Sequence, residues 1–365
     1  MKLKIRETII QEEKLSYAKD GAKVPENAVD CAAGYNPFGT PPESVAVFKD
    51  LSPSAIFDYP HGDFLQEAIL KYWSPFAKLT KKNLLLTDGS MPGLTLVNAA
   101  FSVPGAAALA SAPQFSDYTS NAAFMNITYK PVYLKAEENY KFDADDLLAA
   151  IDGQLSLIYL DNPNNPTGQT IPAGDLRRIL DKAREHNVCV LSDEAYGDFV
   201  EESASAISLL DEYENLIVLR TFSKGFGMAG LRAGYLLAGE ELAQAINKLH
   251  NPYAVSQPSR MAAAASLSNP GFLQECRAAF GRGKAALKAA TGNKMHMAHT
   301  FETCSICLLY HDDPEFDLEA ALMERGILTY SGANFDGLGI NSVRLRIPHE
   351  NEWDRMIAAV KELNG

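Results

Sequence analysis

Lys224 lies in TFSKGFGMAG (residues 221–230), a small, apolar, Gly-rich stretch with a single cation. The stretch directly follows NLIVLR, which reads as a buried strand, so Lys224 should emerge at that strand's C-terminal end. Open α/β sheets place their ligands there. Two chemistries fit. GFGMAG matches G-x-G-x-x-G, a dinucleotide fingerprint. Alternatively, the amine itself is the reactive group. A lysine that forms a Schiff base must be partly neutral near pH 7, and desolvation or a nearby cation both lower its proton affinity. Arg232 offers that cation and can also grip a phosphate, while Thr221 and Ser223 flank the lysine with hydroxyls suited to phosphate oxygens. The glycines let the backbone approach a flat ligand closely. The fingerprint needs a helix after its glycines and an acidic residue about twenty positions later. Here GFGMAG runs at once into the strand-like LRAGYLLAG, and Glu240 and Glu241 come too early. The lysine reading is preferred.

The elements that must hold these residues alternate. Strand-like NLLL (83–86), AAALA (106–110), LSLIYL (155–160), VCVL (188–191) and LIVL (216–219) each run into a polar, Gly- or Pro-containing segment, and RAGYLLAG (232–239) reads as one more strand. Strands alternating with helical patterns predict a mainly parallel sheet with crossover helices. Five loops with Asp, Asn, Ser and Lys at matching strand ends predict one chemically loaded rim. From about residue 245 the pattern changes to helices mixed with SVRLRIP and a Cys-containing strand, which predicts a smaller α+β lobe. Residues 31–245 are expected to form the large domain, with 1–30 and 246–365 in the small one.

Bulk composition bounds the rest. At 365 residues, 47% apolar and 22% charged, the chain can bury a large core and is not of disordered type. A net charge of -13 argues against nucleic-acid binding. The N-terminus has no apolar core of a signal peptide, and no apolar run approaches bilayer length, so no membrane partner and a cytoplasmic location are expected. The five cysteines, Cys31, Cys189, Cys276, Cys304 and Cys307, are odd in number and scattered, which predicts reduced thiols. CSIC (304–307) runs into LLY and reads as a strand, and HMAH (296–299) as a plain loop; no metal site is expected.

NPNNPTG, SDEAY and TFSKGFGMAGLRAGY, in that order, resemble the pyridoxal-phosphate (PLP) aminotransferases of class I/II, fold type I. YNPFGTPPE (35–43), YPHG (59–62), GSMPGL (89–94) and PQFSDY (113–118) narrow the resemblance to the histidinol-phosphate aminotransferase-like branch, over roughly residues 30 to 350. The resemblance implies a large domain with a mainly parallel seven-stranded sheet between helices, plus a smaller α+β domain. It implies that Lys224 holds PLP as a Schiff base and later shuttles the substrate proton. Asp193, which alone reads as a helix N-cap, would pair with the ring nitrogen and keep it protonated. Asn165 and Tyr196 would hydrogen-bond the ring oxygen, and Phe115 would stack on the ring. Ser90 and Met91 at a helix N-terminus, with Thr221, Ser223 and Arg232, would hold the phosphate. Tyr59 matches a tyrosine that reaches the phosphate from a partner subunit, which implies a homodimer; alone, it reads as a core tyrosine.

The substrate end is less constrained. Arg344 aligns with the arginine that binds the substrate carboxylate or phosphate, and Arg346, two residues on, shares its strand face. Histidinol-phosphate members usually carry a second anion-binding arginine shortly before it; that position falls near Tyr330 here. Asn36 stands where an acidic motif is usual and is expected at the site entrance. The leading expectation is transfer of an amino group between an amino acid, or an amino alcohol phosphate, and a 2-oxo acid. The alternative is a decarboxylase or cyclising synthase of the same fold, similar to the threonine-phosphate decarboxylases. A ligand-sensing domain of a transcription regulator is disfavoured by the acidic balance and by the short stretch before the motifs.

Overall fold

The structure is a computed structural model and describes residues 5–11 and 27–365. After a short strand, Val29–Asp30 (β1), come the seven strands of the central sheet. They are Leu84–Thr87 (β2), Ala107–Ala112 (β3), Thr128–Tyr133 (β4), Leu157–Asp161 (β5), Cys189–Asp193 (β6), Leu216–Thr221 (β7) and Gly234–Ala238 (β8). Their order is β2-β8-β7-β6-β5-β3-β4. Strands β5, β6 and β7 are buried along their whole length, because helices cover both faces of the sheet. One such helix, Ala173–Glu185, buries Leu176, Ile179, Leu180 and Ala183, a helical stripe that joins the core on one face. A second apolar cluster, with Leu94, Val97, Leu191 and Leu219, fills the other.

Strand β8 runs antiparallel to both neighbours, and the other pairs among β3 to β7 are parallel. The start of β8 therefore lies where its neighbours end: Gly234 pairs with Thr87 and with Thr221. Six of the seven strands are those read from the apolar runs. The remaining one, β4, carries Pro131, which breaks a strand pattern; the sheet accommodates it because β4 is an edge strand.

The smaller lobe contains Met295–Met297 (β9), Ile306–His311 (β10), Ile327–Leu328 (β11), Tyr330–Ser331 (β12) and Ser342–Arg346 (β13). Four of these form an antiparallel sheet in the order β12-β13-β10-β9, and β11 pairs in parallel with β1. Helices Pro270–Lys288, Leu318–Glu324 and Trp353–Asn364 complete its apolar cluster.

Several expectations need correction. The helix Gln257–Ser266, expected in the smaller lobe, packs on Pro42–Ala46 and Phe64–Trp73 of the large one, because Ala262 and Ala263 present a flat face to that core. The short helix Glu7–Gln11 lies against the large domain: Thr8 Oγ1 donates to Asn126 Oδ1 (3.2 Å), and the helix contacts Asp117–Phe124. His296 is in strand β9 rather than a loop, since pairing with Tyr310 gives its backbone ladder partners. All five cysteines are free and buried. Among the described residues no cluster could hold a metal, and no helix is long and apolar enough to cross a membrane.

Candidate active site

The parallel strands deliver the chemistry to one rim. Strand β7 ends at Thr221 and the chain reaches Lys224 three residues later; β6 ends at Asp193 and leads to Tyr196; β5 ends at Asp161 and leads to Asn165. Arg232 reaches the same rim only because β8 runs backwards. GFGMAG ends in a single 3-10 turn, Ala229–Leu231, and β8 follows. The crossover helix that a dinucleotide fingerprint requires is not there.

These loops and the smaller lobe enclose a cavity of about 750 Å³. Ser90, Met91, Phe115, Asn165, Asp193, Tyr196, Ser223, Lys224 and Arg232 line it from the large domain. Tyr330 and Arg344 line it from the small sheet, and Ala32 to Tyr35 from the loop after β1. That loop closes on the reactive groups through a glycine. A Cβ on Gly34 would sit 2.5 Å from Tyr196 Oη and 2.9 Å from Lys224 Nζ. The amine itself lies 5.4 Å from the centre of the Tyr196 ring.

Asp193 is held on both oxygens. Its Oδ1 accepts the Ala195 N–H (2.9 Å) and its Oδ2 accepts the Tyr118 hydroxyl (2.9 Å). Burial raises its proton affinity above the ordinary carboxylate range, with Lys224 opposing the shift. Neighbouring Asp161 is raised too, by burial first and by Asp193 second. Asp161 Oδ2 accepts the backbone N–H of Phe115 (3.0 Å) and of Asn165 (3.3 Å), which fixes both of those residues.

At the other end, the helix Ser90–Phe101 points its N-terminus into the cavity. Its four leading N–H groups have no helical partners, and the helix dipole favours an anion there. Its cap, Gly89, has φ +109°, and a Cβ on it would lie 2.5 Å from Arg232 Nη2. Arg232 also reaches Ser223 Oγ (3.4 Å) and donates to Ala229 O (3.0 Å). Thr221 sits behind this cup rather than on its wall. Its hydroxyl donates to Ala233 O (3.2 Å) and accepts the Ser223 N–H (3.2 Å), so it orients Ser223.

The two arginines of SVRLRIP separate. Arg344 faces the cavity: Nη2 donates to Ala32 O (2.7 Å), Nη1 to Asn165 Oδ1 (3.3 Å), its guanidinium lies 4.9 Å from the Tyr330 ring centre, and Nε has no partner. Arg346 is consumed by structure. It donates to the carbonyls of Asp30, Ala33 and Ile347 and does not line the cavity. Asn36 is a correction. It is buried away from the cavity, donating to Gly225 O (2.7 Å) and accepting the Phe38 N–H (3.0 Å), so it anchors the residue after Lys224 instead of lining an entrance. Tyr59 is neither core nor part of this cavity; it is 75% exposed and packs on Tyr253, ring centres 4.7 Å apart. Asp161, Tyr118 and Gly34 were not singled out from sequence. Asp161 and Tyr118 stand in the loop motifs, but only strand register and helix placement show what they touch.

Buried Asp161 Oδ1, Tyr196 Oη and Arg344 Nε lack hydrogen-bond partners among the described residues, and all three residues line the cavity. An amine, a carboxyl pair, a phenol and an amide at one end, with a helix N-terminus, a hydroxyl and an arginine at the other, fit a flat aromatic aldehyde bearing a phosphate.

Residues 26–355 match the family model for aminotransferase class I and II. The chain is 31% identical over 341 residues to the histidinol-phosphate aminotransferase of Shouchella clausii, covering 93% of this chain and 90% of that protein. Among solved structures, the histidinol-phosphate aminotransferase of Clostridium acetobutylicum superposes with a TM-score of 0.81 at 23% identity, over 92% of this chain and 99% of that one. The Sinorhizobium meliloti enzyme in complex with pyridoxal-5'-phosphate gives 0.78 at 22%, over 92% and 91%. The chain belongs to the class I and II aminotransferases, with fold type I architecture and pyridoxal 5'-phosphate as its cofactor.

Proposed function

We propose that this aminotransferase takes an α-amino acid with a neutral or aromatic side chain as donor, gripped through its carboxylate by Arg344, and a 2-oxo acid as acceptor. The observation that carries this reading is Arg344. Its guanidinium faces the same cavity as Lys224 and keeps one nitrogen without a partner, and an aromatic ring, not a second cation, lies against it. A planar fork of this kind matches a carboxylate.

Bound pyridoxal phosphate supplies an electron sink for the charge left at the substrate's Cα. The chain's own residues do the rest. Lys224 would hold the cofactor covalently through Nζ, and the same Nζ, when free, would carry the Cα proton. Asp193 holds a proton at the ring nitrogen. Asn165 already accepts from Arg344 through Oδ1, which leaves its amide N–H for the ring oxygen, beside the unpartnered Tyr196 hydroxyl. Ser90, Met91, Ser223 and Arg232 grip the phosphate, with Thr221 positioning Ser223. The Gly34 loop covers the amine and excludes water.

The working unit in this reading is a homodimer. Tyr59 stands among Ile56, Phe57 and Tyr253, all at least 50% exposed, and a second copy would cover them and use Tyr59 at its own phosphate site. The relatives suggest a second reading, in which Arg344 takes the phosphate of histidinol phosphate.

The test loads the protein with pyridoxal phosphate and adds donors one at a time in a single turnover. Bleaching of the Schiff-base band by a neutral or aromatic amino acid, with release of a 2-oxo acid, is expected. Preference for histidinol phosphate would overturn the donor assignment. A band that no donor converts, with carbon dioxide released instead, would favour the decarboxylase alternative.

A further inference from the structure

Asp161 and Asp193 end neighbouring parallel strands and are in register with each other. Both line the cavity, and both are more than nine-tenths buried. Beside them is the buried Tyr118 hydroxyl, which donates to Asp193 (2.9 Å). A phenol has one proton to give. It donates to Asp193 Oδ2, while backbone N–H groups occupy Asp161 Oδ2 and Asp193 Oδ1. Asp161 Oδ1 is left buried with no donor. An ionised carboxylate in that position costs far more than a neutral carboxylic acid.

We propose that Asp161 is a second carboxyl of the ring-nitrogen site, holding one proton in common with Asp193 in the cofactor-free protein and releasing it to solvent when the cationic ring arrives. This rests on Asp193 being the ring's partner. Two carboxylates then face one pyridinium, with Tyr118 donating to Asp193. Asp161 acts through Asp193 and is a positioning residue. The charges around the pair agree. Glu194 behind Asp193 shares Arg220 with Asp198, and its charge adds to the rise at Asp193. Tyr129 is neutral, its hydroxyl held by burial well above the ordinary phenol range. Lys224 opposes the rise at Asp193. Two like charges this close, and this far from water, do not both ionise at neutral pH without a positive partner.

The test follows the carboxyl C=O infrared band of the cofactor-free protein between pH 5 and 8, in the wild type, D161N and D193N. The wild type should keep one protonated carboxyl above pH 6. Each variant should move the remaining carboxyl's midpoint down by about one pH unit or more, because its ionised neighbour is gone. Loading with pyridoxal phosphate should abolish the wild-type band at pH 6.5. In the loaded protein without substrate, D161N should lower the pH midpoint of the Schiff-base absorbance, since a negative charge near the ring has been removed. The proposal is overturned if the wild type shows no protonated carboxyl above pH 6, if the midpoint in D193N is unchanged, or if loading leaves the band in place. The wild-type and D193N titrations decide even if D161N does not fold. Borohydride trapping of Lys224 is scored separately. A coupled pair without trapping would reject the ring-site reading while showing that the carboxyls share a proton.

Discussion

Arg344 and Arg346 stand two residues apart on β13, and their surroundings give them different work. Arg346 donates to three backbone carbonyls, whereas Arg344 keeps a nitrogen for the cavity. Arg344→Gln should lower kcat/KM for a carboxylate donor by about 30- to 150-fold, about 2–3 kcal/mol of charged hydrogen bonding, with little change in Tm. Arg346→Gln should instead lower unfolding free energy by about 3 kcal/mol or more, because buried carbonyls lose their donors. Steady-state kinetics beside denaturant unfolding separate the two. If both substitutions act on KM alone, the division is wrong. Lys224, Ser223 and Arg232 were legible from their own chemistry, whereas Asp193, Asn165 and Tyr196 came from the family resemblance; all six line one cavity. The choice between the arginines was not legible, because alternation along a strand puts both on one face and only the partners Ala32 and Asn165 on one side, and Asp30 and Ala33 on the other, tell them apart.

At the scale of elements, the phosphate end is a helix N-terminus kept open by one glycine. Gly89 caps Ser90–Phe101 with φ +109°, a conformation that side chains rarely adopt, and a Cβ there would meet the Arg232 guanidinium. Gly89→Ala should therefore displace Arg232 and weaken pyridoxal-phosphate affinity by roughly tenfold or more, equivalent to about 1.4 kcal/mol or more. Equilibrium titration of the Schiff-base absorbance reads this, and unchanged affinity would mean that Arg232 does not grip the phosphate. GSMPGL announced the helix start, through Pro92 in the first turn. What it did not announce is that β8 runs antiparallel. That direction, set by long-range pairing with Thr87 and Thr221, is what places Arg232 beside Gly89.

For the whole molecule, an ion cluster joins the lobes. Arg277, on the helix Pro270–Lys288 that feeds the small lobe's core, donates to Asp198 O (2.9 Å) and to Glu202 (2.7 Å), and Glu202 also accepts the Tyr72 hydroxyl (2.6 Å) from the large domain. Burial alone would raise the Glu202 carboxyl, but Arg277 and Tyr72 outweigh it and hold the group down at about 2. The stabilisation is therefore fully present above the unfolded value of about 4.5 and is lost as pH falls through about 2. Glu202→Gln should cost on the order of 2 kcal/mol at pH 7. In denaturant unfolding, its gap from the wild type should stay flat to about pH 5 and close at lower pH. A gap that persists at pH 2 would remove the charge argument. The exposed apolar group around Phe57 makes a second prediction at this scale. Light scattering should give about twice the 39.8 kDa chain mass, and Phe57→Glu should shift it towards one chain. A monomeric wild type would reject the dimer and with it the role of Tyr59.

The sequence by itself determined the alternation of strands and helices, the loops that carry the reactive groups, and the identity of most of those groups. Apolar periodicity and turn chemistry are local, and the motifs name their residues without reference to anything distant. Tertiary structure alone decided how the segments sort between lobes. Helix Gln257–Ser266 went to the large core and Glu7–Gln11 to the large domain's surface, because complementary faces, not chain position, choose a partner. It also turned Asn36 from an expected entrance residue into the anchor of Gly225, and brought Asp161 level with Asp193. Register across a parallel sheet is fixed by packing of both faces at once, and one strand's residues carry no mark of which neighbour they will face.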